Sequence, residues 1–332
     1  NFMESLSGAI VVFVTAALFV VGAGVGLARY GDELAEKTGW GTLWVGTLLV
    51  SIATSLPELT VNISAVWLEK APDLALGNVF GADMINVFVL AVVALMFGIR
   101  NLFANQGRDT QILVLLGIGM VTLAMILGVS GDVKLGPTSL GGLILIVAYF
   151  AGMRAVYKAG RTDMHLEDIP SPKGSARNAW IGFGISVLVV IIAGRYLASS
   201  ADSIAEISGI SKSFIGVLLV SIVTTLPEAS VTIAATLRKS YGIVIGNVFG
   251  SNAFNISIIF FADLFHGKEP LLGSMATTHY IAAAAALGLM VMGYVILRSC
   301  QSQAMVWGRV LTPAIPVVYV GALYLVFTLG QR

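Results

Sequence analysis

Apolar stretches long enough to cross a bilayer recur ten times along this chain, and no other feature limits its fold as tightly. A hydrocarbon core of about 30 Å takes roughly 20 helical residues. The sequence supplies them at 7–28, 42–67, 73–98, 110–129, 138–157, 177–198, 213–238, 241–264, 275–297 and 311–329. Connections between them are mostly short, so little chain is left for a soluble domain. Composition agrees: of 332 residues 57% are hydrophobic and 11% charged, with a mean hydropathy of +0.91, and a water-soluble fold of this size cannot hide that much apolar surface. Lipid is the expected solvent, and an all-α membrane protein the expected class. The first stretch has no basic flank before it and no small-residue cleavage site after it, and it reads as a retained helix rather than a signal peptide.

Charge placement sets the expected orientation. With connections numbered alternately, one face receives Arg29, Lys37, Arg100, Arg108, Arg154, Lys158, Arg161, Lys173, Arg177, Arg238, Lys239, Arg298 and Arg309, thirteen of the nineteen basic residues, and the other face six. Basic residues concentrate on the cytoplasmic side of membrane proteins. The expectation is a multi-pass protein of a prokaryotic-type cell (inner) membrane, with both termini outside and a cytoplasmic linker at 158–176. That linker carries Pro170, Pro172, Lys173, Gly174 and an exposed His165. His266 and His279 fall near helix ends, and all three histidines read as solvated or interfacial rather than as metal ligands. A single cysteine, Cys300, gives no disulfide and no zinc or redox motif. No cofactor and no nucleic-acid partner are expected; the bilayer itself is the surrounding partner.

The chain repeats itself. GTLLVSIATSLPELTV at 46–61 aligns without gaps on GVLLVSIVTTLPEASV at 216–231, an offset of 170, and LGNVFGADMINV at 76–87 aligns on IGNVFGSNAFNI at 245–256 after a one-residue adjustment. Upstream, Asp32, Ala35 and Glu36 stand opposite Asp202, Ala205 and Glu206. The expected organisation is a five-helix repeat at 1–157 with its motif at 46–90, the linker, and a second five-helix repeat at 177–332 with its motif at 216–260. Because five is odd, the second copy enters from the opposite side. The halves are then related by a pseudo-twofold axis in the membrane plane, the inverted-repeat plan of secondary transporters, whose site lies near the midplane.

Glu58 and Glu228 occupy the middle of their stretches, where an unpaired carboxylate costs roughly 3 kcal/mol on insertion scales. A bound cation, a proton or a second buried group must offset that cost. Two carboxylates brought together by the repeat repel unless a divalent ion or protons sit between them. Each follows a proline: Pro57 has no amide hydrogen for the carbonyl of Ala53, and Pro227 none for that of Val223, so each helix must break or kink. Breaking is expected to free main-chain carbonyls around Ser51–Thr54 and Ser221–Thr224, with the hydroxyls of Ser55 and Thr225 at the same level. Carboxylate, carbonyl and hydroxyl oxygens without sulfur or imidazole suit Ca²⁺ and Na⁺ rather than zinc or copper. Gly77 and Gly81, like Gly246 and Gly250, are spaced four apart, a pattern that admits a neighbouring helix closely. Asn86 and Asn255, deeper in their spans, are expected to line the site; Asn78 and Asn247 read equally as packing residues. A kinked packing helix is the plainer alternative for one Pro-Glu copy, and two copies at inverted-repeat positions argue against it. GAGVG at 22–26 follows no strand and is a packing feature, and the sequons at Asn62 and Asn255 lie inside spans.

TSLPE with GNVFGADMIN, and TTLPE with GNVFGSNAFN, resemble the two alpha repeats of the cation/calcium exchanger superfamily, in particular the sodium/calcium exchangers. The resemblance covers both repeats and the ten-helix plan. It implies the sodium/calcium exchanger fold, Ca²⁺ bound by Glu58 and Glu228 with main-chain carbonyls of Thr54 and Thr224, and Na⁺ bound by the same glutamates with Ser55, Thr225, Ser251, Asn86, Asn255 and the carbonyls of Ser51 and Ser221. Asn255 stands where K⁺-moving relatives tend to carry Asp, so the chain resembles the K⁺-independent kind. It departs from the family at Ala82-Asp83, where Ser-Asn is usual: a hydroxyl is lost and a carboxylate appears. Asp83 is open to three readings, a compensating charge, a titrating group that admits H⁺ coupling, or a helix-end residue at the interface.

The expected function is Ca²⁺/Na⁺ antiport by alternating access, not enzymatic catalysis, with helices one and six as candidates for the sliding gate. Ca²⁺/H⁺ antiport is the nearest rival; the proton-coupled branch of the family carries a glutamate after GN, which is absent here. An intramembrane hydrolase using Glu58 and Glu228 as an acid-base pair is the remote rival, and no His pair, nucleophile elbow or GxGD-like motif accompanies them.

Overall fold

The computed structural model describes residues 5–68, 70–163, 175–207, 221–267, 269–302 and 305–330. Its helices are α1 (Leu6–Thr38), α2 (Thr42–Trp67), α3 (Pro72–Phe97), α4 (Arg108–Ser130), α5 (Leu140–Asp163), α6 (Arg177–Ile207), α7 (Leu226–Leu237), α8 (Tyr241–His266), α9 (Thr277–Gln301) and α10 (Val306–Gly330). Among the described residues nine helices are long and apolar enough to span a membrane, and α7 is a shorter apolar helix preceded by a helical turn at 221–224. One two-stranded hairpin, β1 (Lys134–Leu135) with β2 (Thr138–Ser139), joins α4 to α5.

The helices outrun the apolar stretches that announce them. α1 has 33 residues, about 50 Å at 1.5 Å per residue, so its end projects past the hydrocarbon. That end is polar and supports itself: Arg29 meets Glu33 at 3.2 Å and Lys37 meets Glu33 at 3.7 Å, one turn apart. Gly39, at φ 71°, closes the helix in the left-handed conformation that glycine adopts freely, its N–H donating to the Ala35 carbonyl. For the same reason the expected linker is too long at its start, since α5 continues through Asp163; hydropathy marks where lipid ends, not where the helix ends. The remainder of the linker, including His165, Pro170, Pro172, Lys173 and Gly174, lies outside the described residues. So do the first part of the seventh stretch and the side chains of Asp202, Ala205 and Glu206.

Burial separates a core from a periphery. The apolar window of α8 is 94% buried and that of α3 67%, against 28% for α1 and 22% for α10. α3 and α8 pack on each other and on their counterparts in the other half: α8 on α4 and α5, α3 on α9 and α10. α1 packs along α6 and on α7, and α6 on α2. Each of these contacts has its twin under exchange of the halves.

Polar contacts sort the connections into two faces. Arg238 reaches Asp32 at 2.9 Å and Ser240 reaches it at 2.7 Å, joining the α7–α8 connection to α1's end; Gln111 meets Gln301 at 2.8 Å on the same face. At the opposite face Asp263 receives Lys134 at 3.5 Å, Thr138 at 3.2 Å and the Leu271 N–H at 2.9 Å. His279 also belongs there, and it is not solvated: it is 6% exposed, Nδ1 accepts from the Ala276 N–H at 2.9 Å, and Nε2 lies 3.1 Å from the Asp73 carbonyl. A ring that caps its own helix and ties it to α3 is shielded by those bonds, which a helix-end position alone does not reveal.

Candidate ion-binding site

The site is built where two helices break. Ser55 (φ −86°, ψ 7°) and Thr225 (φ −83°, ψ −2°) interrupt their helices, and each restarts with proline in its first turn and the glutamate immediately after. Proline is tolerated there because its missing N–H would go unused. Glu58 and Glu228 therefore sit in the first turn of a helix, where exposed amides and the helix dipole favour negative charge. Both are 1% exposed.

Close approach of the second motif completes the chamber. A methyl group on Gly250 would stand 2.9 Å from both Ser51 Oγ and the Thr47 carbonyl, and one on Gly81 2.9 Å from Ser221 Oγ, twin contacts in the two halves. On Gly246 it would meet the Leu43 carbonyl at 2.6 Å. Only glycine lets α8 lie this near α2. On the α2 side the approach is matched by a π-helical turn, Val45–Val50, a form of helix that recurs at functional positions.

Hydrogen bonds cross between the halves. Ser55 Oγ donates to Glu228 Oε1 at 2.9 Å, and Ser251 Oγ lies 3.5 Å from the same oxygen. Thr54 Oγ1 donates to Asn247 Oδ1 at 3.2 Å, while Asn247 Nδ2 donates to the Glu228 carbonyl at 3.1 Å. In the other direction Ser221 Oγ donates to Asn78 Oδ1 at 3.1 Å. Asn78 and Asn247, undecided from sequence, thus clamp one half's break to the other half's helix. The breaks do not free every carbonyl expected of them. The Ser51 oxygen accepts from the Ser55 N–H at 3.0 Å, Thr54 Oγ1 at 3.1 Å and Ser251 Oγ at 3.4 Å. The Ser221 oxygen accepts from the Thr225 N–H at 3.1 Å and Thr225 Oγ1 at 2.6 Å, with Thr224 Oγ1 at 3.4 Å. The Ser51 and Ser221 carbonyls thus keep their helical N–H bonds and gain hydroxyl donors besides; the carbonyls deprived of a donor by the prolines are those of Ala53 and Val223.

Asp83 is 0% exposed in the middle of α3, so the helix-end reading falls: its turn faces α8, not the membrane interface. Asn255 Nδ2 donates to Asp83 Oδ1 at 3.1 Å, and Asn86 Nδ2 donates to Asn252 Oδ1 at 2.9 Å. These two pairs are twins, since Asp83 aligns with Asn252 and Asn86 with Asn255. Asn252 was not singled out from sequence; its alignment with Asp83 was the available signal.

Much of this polar surface is unsatisfied. Glu58 Oε1 and Oε2, Glu228 Oε2, Asp83 Oδ2 and Asn255 Oδ1 are buried with no hydrogen-bond partner. Glu58 lies within electrostatic range of Glu228 and, more weakly, of Asp83. No lysine or arginine is among the buried side chains of the described residues. Buried acceptors are satisfied in nearly all proteins, and unpaired buried carboxylates are costly. Five orphaned oxygens on four neighbouring side chains form a receptacle for positive charge.

Two five-helix halves entering the bilayer from opposite sides, with an acidic chamber between their broken helices, define an inverted-repeat ion transporter. The family model for the sodium/calcium exchanger protein matches residues 8–158 and 178–331, and the chain belongs to the sodium/calcium exchanger family: it is an integral, multi-pass membrane cation antiporter. It is 29% identical over 245 residues to the inner membrane protein YrbG of Escherichia coli strain K12, covering 73% of this chain and 75% of that protein. It is 25% identical over 276 residues to the sodium/calcium exchanger MaX1 of Methanosarcina acetivorans, covering 73% of this chain and 78% of that one. A solved structure of the sodium-calcium exchanger NCX_Mj, soaked with 10 mM Na⁺ and zero Ca²⁺, shares the fold, with a TM-score of 0.74 and 21% identity over 96% of this chain and 99% of that chain.

Proposed function

We propose that the chain exchanges Ca²⁺ for Na⁺, holding both ions in turn at Glu58 and Glu228. The observation that carries this reading is the set of orphaned carboxylate oxygens, Glu58 Oε1 and Oε2 with Glu228 Oε2, at the break of two helices with no buried basic residue to offset them. One divalent ion or several monovalent ions neutralise such a pair. Hydroxyls that already donate to the pair remain competent ligands, because a serine or threonine oxygen that gives its proton keeps two lone pairs. Ser55 and Ser251 can therefore coordinate while bonded to Glu228, and Thr225 while bonded to the Ser221 carbonyl. Thr54 and Thr224, with the main chain at Ser51 and Ser221, supply further hard oxygens of the kind Ca²⁺ and Na⁺ accept. Asn86, Asn255 and Asp83, on the helices packed against the two breaks, add further oxygens, and Asp83 raises the formal charge of the group from −2 to −3 when all three carboxylates are ionised.

Exchange follows from sharing. The two ions use the same glutamates, so one excludes the other, and the empty chamber is too highly charged to be carried across the low-dielectric core. Only loaded states reorient. The test is ⁴⁵Ca²⁺ uptake into proteoliposomes with an outward Na⁺ gradient or a pH gradient applied separately. Uptake driven by Na⁺ and slowed roughly a hundredfold by Glu58→Gln is expected. Uptake that follows only the pH gradient replaces Na⁺ with H⁺ as the counter-ion, and no uptake in either ends the Ca²⁺ reading.

A further inference from the structure

α1 lies along α7, and their contact runs from the ion site to one face of the protein. At the site end a methyl group on Gly24 would stand 2.5 Å from Ser230 Cβ and 3.4 Å from the Pro227 carbonyl, one residue before Glu228. Eight residues further on in both chains, about 12 Å at 1.5 Å per residue, Arg238 reaches Asp32. Ser230, Ala234 and Arg238 are spaced four apart, so they line the side of α7 turned toward α1.

The twin flank is not covered in the same way. Thr60, Val61 and Ser64 of α2 correspond to Ser230, Val231 and Ala234 at the offset of 170. The three on α7 are buried, at 8%, 0% and 7% exposure. On α2, Thr60 is exposed and Val61 and Ser64 are half-buried. α6 does touch α2 beside the site, where a methyl group on Gly194 would stand 3.0 Å from the Pro57 ring, but it leaves Thr60 bare.

A fastening goes with the covered flank. Arg238 Nη2 and Nε donate to Asp32 Oδ2 at 2.9 and 3.2 Å, and Ser240 Oγ donates to Oδ1 at 2.7 Å, so the α7–α8 connection holds both carboxylate oxygens. The other half lacks these donors. Arg238, just past the end of α7, corresponds to Leu68, just past the end of α2; Ser240, just before α8, corresponds to Ala71, just before α3. Lys239 and Lys70, between them, share a positive φ of 61° and 55°, which fixes the correspondence. Neither leucine nor alanine has a side-chain donor.

We infer that Asp32, Arg238 and Ser240 form a one-sided latch that holds α1 down on α7 and favours the access state closed at that face. In an inverted-repeat transporter the halves exchange shapes as access alternates. Opening this face lifts α1 from the flank that leads to Glu228 and breaks the three bonds. A contact that one half can make and the other cannot shifts the populations toward the state that makes it. The latch rests on the antiporter class and not on which cations are exchanged.

The test reads accessibility in the purified full chain, in choline buffer free of Na⁺ and Ca²⁺, without reference to transport. Ala234→Cys, beneath α1, is expected to react with a charged thiol reagent more slowly than Ser64→Cys, its counterpart on the bare flank; the native Cys300, 5% exposed, stays silent. Added to Ala234→Cys, Asp32→Asn or Arg238→Gln is expected to speed labelling roughly threefold, the weight of an exposed ion pair. The two together are expected to do no more than either alone, because both remove one contact. Labelling of Ser64→Cys is expected not to rise. Four results overturn the latch: equal labelling of the two cysteines with Asp32 and Arg238 intact, unchanged labelling of Ala234→Cys in both single variants, additive acceleration in the double variant, or equal acceleration at both cysteines, which marks a general loosening.

Discussion

Single side chains in the chamber are not equivalent despite the repeat. Glu228 Oε1 is held by Ser55 and Ser251, whereas Glu58 has only looser contacts, with the Thr224 hydroxyl and its own main chain. Glu58→Gln therefore gives up little more than a weak contact with the Thr224 hydroxyl while removing a buried charge. Its expected effects are an ion-free protein stabilised by roughly 1 kcal/mol or more and Ca²⁺ exchange slowed roughly a hundredfold, the weight of about 3 kcal/mol for a buried charge partner. Thermal unfolding without ions and ⁴⁵Ca²⁺ flux measure the two, and a lower unfolding temperature would show that Glu58 is satisfied after all. Asp83→Asn is milder. The amide oxygen still accepts from Asn255, and the pair becomes the chemical twin of Asn86 with Asn252, so the fold is expected to hold. If Asp83 contributes to cation balance, Na⁺ activation of Ca²⁺ release becomes less steep. An unchanged Na⁺ dependence would confine Asp83 to packing.

Between helices, the glycines of the second motif set the spacing of the site. Gly250→Ala places a methyl group 2.9 Å from the Thr47 carbonyl, a backbone atom that cannot swing aside, and overpacking of this kind costs about 1–3 kcal/mol. A depressed unfolding temperature together with lost exchange is expected, and a fully stable Gly250→Ala protein would mean that α2 and α8 have room to part. These glycines, the Pro-Glu breaks and nine of the ten expected spans were legible in the sequence, because each follows from a local rule: apolar length, a missing N–H, a missing side chain. Helix ends were not, since Arg29, Asp32 and Glu33 extend α1 through ion pairs that hydropathy scores as an exit. The fate of the Ser51 and Ser221 carbonyls was hidden because it depends on which way the hydroxyls of Thr54, Thr225 and Ser251 turn. Asn252 and the clamping roles of Asn78 and Asn247 depend on contacts about 140–200 residues distant in sequence, which only the folded pairing of the halves creates.

For the molecule as a whole, the fold fixes which connections share a face, and the membrane fixes which face is inside. The α1–α2, α3–α4, α5–α6, α7–α8 and α9–α10 connections belong together, as Arg238 on Asp32 and Gln301 on Gln111 require; Lys134 on Asp263 marks the other side. The first face carries thirteen of the nineteen basic residues, and that excess is expected to hold it in the cytoplasm. Cysteine labelling separates the two claims, because the native Cys300 is buried at 5% exposure and should stay silent. Leu135→Cys, at a position of β1 that is 45% exposed, is expected to react with an impermeant maleimide added to intact cells, and Ser175→Cys, exposed before α6, only after the membrane is opened. Labelling of both from one side contradicts the odd number of spans in each half and with it the inverted repeat. The opposite pattern leaves the repeat intact and reverses the protein in the bilayer.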